Sequence, residues 1–176
     1  APLAPAGRAG LPETNGDDDR GRSPLATVVE NGLGTIVEML SLTAAARDAM
    51  VAHAVRGLPH EACGLFAGPV GGTTVDSFHP MTNVAASSEI YQLDPAEMMK
   101  VEAAADEAGD QVLGVMHSHT HTTAYPSPTD IRDAEAFDPF GAWHFIIVSL
   151  KDATPVLRSY RISDGSVTEE TLHITG

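Results

Sequence analysis

The apolar residues of this chain come in short runs punctuated by glycine and proline, and that punctuation excludes most architectures. Cys63 to Ala67 lies between Pro59 and Gly68, and His144 to Leu150 follows Gly141. Runs this short do not make buried helices; they fit strands covered on both faces. The longest uncharged apolar stretch, Phe145 to Leu150, falls far below the about 18 residues that a membrane span needs.

Helix signals stand between the runs. Thr43 is an N-cap before Ala46, Met50, Ala54 and Val55, which share one helical face, and Gly57 and Pro59 end that helix. Asp94-Pro95-Ala96-Glu97 combines a cap, a first-turn proline and an acidic third position, predicting a helix from Pro95 to about Ala108. Ser127-Pro128-Thr129-Asp130 repeats the pattern for a short helix from Pro128 to Phe137. Strands are expected at Ile36 to Leu42, Cys63 to Ala67, Thr73 to Phe78, Ile90 to Leu93, Val112 to His117, His144 to Leu150, Val156 to Ile162 and Val167 to Ile174. The expected fold class is mixed α/β, with helices flanking a sheet rich in antiparallel neighbours.

At 176 residues the chain suits one domain. Residues 1–33 are rich in Gly, Pro, Asp and Arg without a periodic pattern, and are expected to be a flexible N-terminal extension, with an edge strand at Ala26 to Val29 and room to act as an arm over the active site. Leu11-Pro12-Glu13-Thr14 approaches a sortase signal, but Asn15 stands where that signal has glycine. Residues 34–176 form the domain. With 24 acidic and 10 basic side chains the net charge is -14, which argues against nucleic acid and anionic membranes as partners. A single cysteine permits neither an internal disulfide nor a four-cysteine zinc site, and suits a reducing cytoplasm. Any metal must therefore be held by histidine and carboxylate.

Such ligands cluster between residues 117 and 130. His117 and His119, two apart near the end of a strand, present their imidazoles to one side. Asp130, in the first turn of the next helix, can add an oxygen and leave the fourth zinc position open. Ser127 and Asp130 also make a capping box, and the two roles are compatible.

These residues resemble the signature of the JAMM or MPN+ metallopeptidases: a distant Glu, then His-x-His, seven residues, Ser, two residues, Asp. His117, His119, Ser127 and Asp130 meet the spacing without a gap, and Glu61 in Pro59-His60-Glu61-Ala62-Cys63-Gly64-Leu65 matches the distant acid. The resemblance covers residues 36–174 and implies a cytidine-deaminase-like α/β fold. It also implies one zinc ion per chain on His117, His119 and Asp130, acid/base work for Glu61 and oxyanion stabilisation by Ser127. Only about a dozen residues separate Asp130 from Trp143, so the long second insertion of the eukaryotic deubiquitinating members is absent. The compact chain is similar to the bacterial stand-alone Mec-type members. That implies a substrate: a ubiquitin-like sulfur-carrier protein ending in Gly-Gly, from which cysteine or another small amine is released. An isopeptidase acting on lysine conjugates and a silent scaffold are the alternatives, and a homodimer is left open.

Other readings are weaker. His60-Glu61 opens like a His-Glu-x-x-His motif, but residue 64 is glycine. His121 as a third imidazole ligand falls in the loop, and a zinc deaminase needs cysteines that the chain lacks. Cys63 is expected to be a buried apolar residue, and His53 and His79 solvated or structural. Trp143 and His144 are expected to pack, Tyr125 and Pro126 to shape the mouth of the site, and Met98 and Met99 to serve core and helix surface.

Overall fold

The structure is a computed structural model that describes residues 29–31, 35–37 and 39–176. The extension expected over residues 1–33 lies almost wholly outside the described residues. So do residues 26–28 of its expected strand; Val29 opens β1 (Val29–Asn31), which pairs antiparallel with β2 (Thr35–Val37).

Among the described residues, the main sheet has eight strands. In chain order they are β3 (Met39–Thr43), β4 (Cys63–Pro69), β5 (Thr74–Val75), β6 (Ser77–Met81), β7 (Asp110–His119), β8 (His144–Ser149), β9 (Val156–Ser163) and β10 (Ser166–Thr175). Across the sheet the order is β5-β3-β10-β9-β8-β7-β4-β6. Neighbours are parallel at β5-β3, β3-β10 and β8-β7 and antiparallel elsewhere. The fold is mixed α/β, as expected from the sequence.

Among the described residues, three helices cover the sheet. Helix α1 (Ala44–Gly57) starts where the Thr43 hydroxyl accepts the Ala46 N–H at 3.3 Å, and buries Ala46, Met50 and Ala54 against Leu40, Leu42, Phe66, Met116 and Ile146. Helix α2 (Pro95–Ala108) has the expected bounds, capped by Asp94 and stopped by Gly109 at φ 79°, a left-handed geometry that glycine adopts without a Cβ penalty. Helix α3 (Pro128–Phe137) also has the expected bounds. Side chains of α2 and α3 pack with Leu65, Val115, Phe145, Ile147 and Tyr160 in a second core. The two cores lie on opposite faces of the sheet.

Three strand expectations are corrected. Ile36 to Leu42 is two strands: β2 pairs with β1, whereas β3 enters the main sheet between β5 and β10. Thr73 to Phe78 breaks at Asp76, whose N–H turns back to Ala67 O at 3.2 Å. Sequential strands β5 and β6 thus stand on opposite edges of the curled sheet. Ile90 to Leu93 forms no strand, only a bridge between Leu93 and Asn83. The Asn83 carboxamide occupies the Ile90 carbonyl and the Gln92 N–H, groups that a ladder would otherwise use.

Two local features set the phase of β7. Leu113 is a bulge, since Phe66 pairs with Gly114 and Ala67 with Val112. Beyond it Gly114 and Met116 lie on the α1 face and Val115 on the α2/α3 face, and His117 and His119 follow Val115 by alternation. At Gly114 a Cβ would sit 2.0 Å from His144 O and 2.6 Å from Phe66, so the close approach of strands there requires glycine.

Candidate active site

The site is assembled from the ends of β4 and β7 and the start of α3. Ser118, between the two histidines, points to the opposite face and clamps the entry of β4: its Oγ accepts the Ala62 N–H at 2.8 Å and its N–H donates to Ala62 O at 2.9 Å. That brings Glu61, one residue earlier, to the mouth of the histidine pair. On the other side, Ser127 Oγ accepts the Asp130 N–H at 3.2 Å while the Ser127 N–H donates to Asp130 Oδ2 at 2.7 Å. This capping box satisfies two orphan helix donors and also aims the carboxylate.

His117 Nε2 lies 3.1 Å from His119 Nε2, and Asp130 Oδ2 is 3.3 Å from His119 Nε2 and 3.6 Å from His117 Nε2. All three residues are buried. A tetrahedral zinc ion with bonds of about 2.1 Å separates its ligand atoms by roughly 3.4 Å, so two imidazole nitrogens and one carboxylate oxygen at these spacings fit such an ion. His119 Nδ1 donates to Thr123 O at 2.8 Å, which leaves the Nε2 lone pair for a metal. Cys63, paired with His117 across the strands, is fully buried, and burial pushes its thiol up to about 12.

The charges are unequal. Burial alone would raise the Asp130 carboxyl, but hydrogen bonds to His117 and His119 hold it well below the usual carboxylate range. Burial lowers the proton affinity of His117; at His119 burial acts the same way but the Asp130 hydrogen bond prevails and raises it. Glu61 is pushed up to about 7, chiefly by burial, with His119 opposing and Asp130 and Glu89 assisting. Its Oε2 is buried with no hydrogen-bond partner among the described residues. A carboxyl with a nearly neutral proton affinity, facing a cluster of metal-type donors, has the means to move a proton at physiological pH.

The five residues singled out from the sequence therefore come together. The family comparison agrees: residues 43–163 match the model of prokaryotic homologs of the JAB domain. The chain belongs to this family. Among curated relatives, the CysO-cysteine peptidase of Mycobacterium tuberculosis is 44% identical over 139 residues, covering 78% of this chain and 92% of that protein. The desampylase of Haloferax volcanii is 43% identical over 96 residues, 52% of this chain and 69% of the relative. A protein of Desulfitobacterium hafniense, known from a solution structure, superimposes with a TM-score of 0.71 at 35% identity, over 78% of this chain and 93% of the other.

The remaining candidates of this JAB-family chain sit as follows. His121 is exposed and outside the triad. His53 Nε2 donates to Cys63 O at 3.0 Å, a structural bond, and His79 Nε2 lies 3.4 Å from Ser77 Oγ. Tyr125 is half exposed, edge-on to Tyr160, whose hydroxyl donates to Ala124 O. Met98 packs in the second core, and Met99 is exposed. Trp143 packs edge-on against Phe137, as expected. His144 is buried at the start of β8, as expected, and its packing includes polar bonds: its Nδ1 meets both Glu170 oxygens at 2.9 Å, and Ser159 Oγ donates to Glu170 Oε2 at 2.8 Å. Sequence reasoning missed Asn83, Tyr91 and Thr123, which contact the site or its supports; nothing in their local pattern marks them.

Proposed function

We propose that this chain is a zinc-dependent peptidase that hydrolyses the amide bond after the C-terminal Gly-Gly of a ubiquitin-like sulfur-carrier protein, releasing cysteine or another small amine. The observation that carries this reading is the convergence of His117 Nε2, His119 Nε2 and Asp130 Oδ2 beside the buried Glu61. It occurs in a chain that aligns with 92% of a CysO-cysteine peptidase.

His117, His119 and Asp130 would hold the ion, one per chain. The chemistry zinc supplies when bound is acidification of water and polarisation of a carbonyl. Glu61, buried beside the triad, takes the proton of the attacking water and returns it to the departing amine. The Ser127 cap uses an acceptor lone pair of the hydroxyl; its O–H, which is also drawn to the Asp130 carboxylate, turns to donate to the carbonyl oxygen as charge develops there. Terminal glycines let the substrate backbone approach these groups without side-chain obstruction. Residues 34–176 constitute the catalytic domain, and its buried free thiol suits a reducing cytoplasm.

Incubating the zinc-loaded protein with a carrier-cysteine adduct tests the reading. The expected products are free cysteine and a carrier ending in Gly-Gly, with cleavage abolished by a chelator and restored by zinc. Absence of cleavage, or equal cleavage by Glu61→Gln, overturns it. A second reading, removal of a ubiquitin-like modifier from protein lysines, is favoured by the likeness to a desampylase. The mass of the released partner, amino acid or protein, separates the two.

A further inference from the structure

The two histidines are held in different ways. His119 is oriented by its Nδ1 hydrogen bond to Thr123 O. Among the described residues His117 has no such support: with Nε2 turned to the triad, its Nδ1 is buried and meets no acceptor. A ring without an outer hydrogen bond must be oriented by packing; His119 lies tilted against it at 5.0 Å, and the contact that covers its face is Tyr91, stacked at 4.4 Å between ring centroids and 18° between planes.

Tyr91 itself sits on the segment that lacks regular strand structure, and one side chain organises that segment. Asn83 uses both amide hydrogens and its oxygen: Nδ2 donates to Glu61 O at 2.9 Å and to Ile90 O at 3.0 Å, while Oδ1 accepts from Ala85 N at 3.1 Å and Gln92 N at 3.0 Å. The bonds to residues 90 and 92 flank Tyr91 on both sides. Glu61 is gripped again through its own N–H, which donates to Ser87 O at 2.8 Å, and Thr120 Oγ1 donates to Ser88 O at 3.1 Å. The segment thus ties the backbone of Glu61 to the face of His117.

We propose that Asn83 and Tyr91 act as one positioning unit: Asn83 locks the 82–93 segment onto the Glu61 backbone, and Tyr91 thereby presses flat against His117 and replaces the hydrogen bond that this ligand lacks. Neither residue touches the reacting atoms. The unit rests on the reading of His117, His119 and Asp130 as a metal triad, and it explains why an irregular segment lies between β6 and α2 with all four Asn83 hydrogen-bonding positions engaged. An aromatic face is what the position demands; the phenol oxygen is not.

The test is zinc affinity, measured on the full chain by competition with a chromogenic chelator and supported by the visible spectrum of the cobalt(II)-substituted protein. Tyr91→Leu is expected to weaken zinc binding about 10–100-fold, the range for loss of an outer-sphere support, and to alter the cobalt spectrum. Tyr91→Phe should stay within about threefold of wild type because the stack is kept. Asn83→Asp, which removes both donors at nearly constant volume, should weaken binding similarly, and combining it with Tyr91→Leu should add little, as expected of residues acting as a unit. Wild-type affinity in Tyr91→Leu, an equal loss in Tyr91→Phe, or fully additive losses overturn the proposal. If Tyr91→Leu does not fold, Tyr91→Met and Tyr91→Phe provide the same contrast. A wild-type chain that takes up no zinc overturns both this proposal and the metal reading, whereas zinc uptake without peptidase activity bears only on the latter's substrate.

Discussion

Ser127 is asked to do two things, and substitution can separate them. As the N-cap of α3 it accepts the Asp130 N–H at 3.2 Å, while as an oxyanion donor it redirects its hydroxyl hydrogen from the Asp130 carboxylate. Ser127→Ala removes both. Loss of the cap costs about 1 kcal/mol, or about 3 °C in Tm for a domain of this size. Loss of an oxyanion donor costs on the order of 10²–10³ in kcat. Stability cannot explain the second number: removing about 1 kcal/mol from a typical 5–15 kcal/mol leaves the folded population essentially complete. Ser127→Gly decides between the roles, because glycine at an N-cap costs only a few tenths of a kcal/mol yet has no hydroxyl. The Ser127 N–H to Asp130 Oδ2 bond, being backbone, survives in both variants. Melting curves, zinc content and steady-state cleavage of a carrier-cysteine adduct should show Ser127→Gly nearly as stable and as zinc-loaded as wild type but as inactive as Ser127→Ala. Near-normal kcat in Ser127→Gly would confine Ser127 to capping and refute its role in catalysis.

Glu61 carries a pH signature. Its folded value of about 7 lies above the ordinary 4.5, so the metal-free folded state retains a proton that the unfolded chain releases, and stability falls as pH rises through that window. Chelated Glu61→Gln should lose less Tm than wild type between pH 5 and 7.5, and parallel curves would contradict the burial argument. Cys63, with its thiol near 12, should resist iodoacetamide at pH 8, where its thiolate fraction is about 10⁻⁴, and react once the chain is unfolded; rapid labelling of the native protein would show an open path to β4. Gly114→Ala drives a Cβ toward His144 O and Phe66, and should destabilise by about 3 kcal/mol or leave the protein insoluble; a shift in Tm below about 2 °C would mean that the strands can separate there.

Much of the architecture was legible because its signals are local. The capping residues Thr43, Asp94 and Ser127 lie beside the helices they start, so α2 and α3 have the bounds read from the sequence. The triad was legible for the same reason: a period of two along β7 and a capping box on α3 place His117, His119 and Asp130 by short-range geometry. Elsewhere the deciding partner lies far along the chain. Thr74–Val75 joins β3 and Ser77–Met81 joins β4, so the break at Asp76 reflects which edges are free, a property of the whole sheet. Ile90 to Leu93 has a strand-like composition, but Asn83 satisfies its backbone from outside. His144 opens an apolar run, yet its partner Glu170 is 26 residues away.

The histidine pair also depends on a feature that alternation alone does not disclose. Before the bulge, Val112 faces α2 and α3 and Leu113 faces α1; after it, Val115 takes the α2/α3 face and Met116 the α1 face. An uninterrupted strand starting in the same phase would put the odd-numbered residues, His117 and His119 among them, toward α1, opposite the helix that carries Asp130. The extra residue at Leu113 shifts the phase by one, while the glycine that follows it lets β8 approach closely enough to hold the new register. Ser118 then falls on the α1 face, where it clamps Ala62 and fixes the entry of Glu61. One inserted residue in β7 thus determines that the two imidazoles, the capping-box carboxylate and the buried glutamate share a side of the sheet.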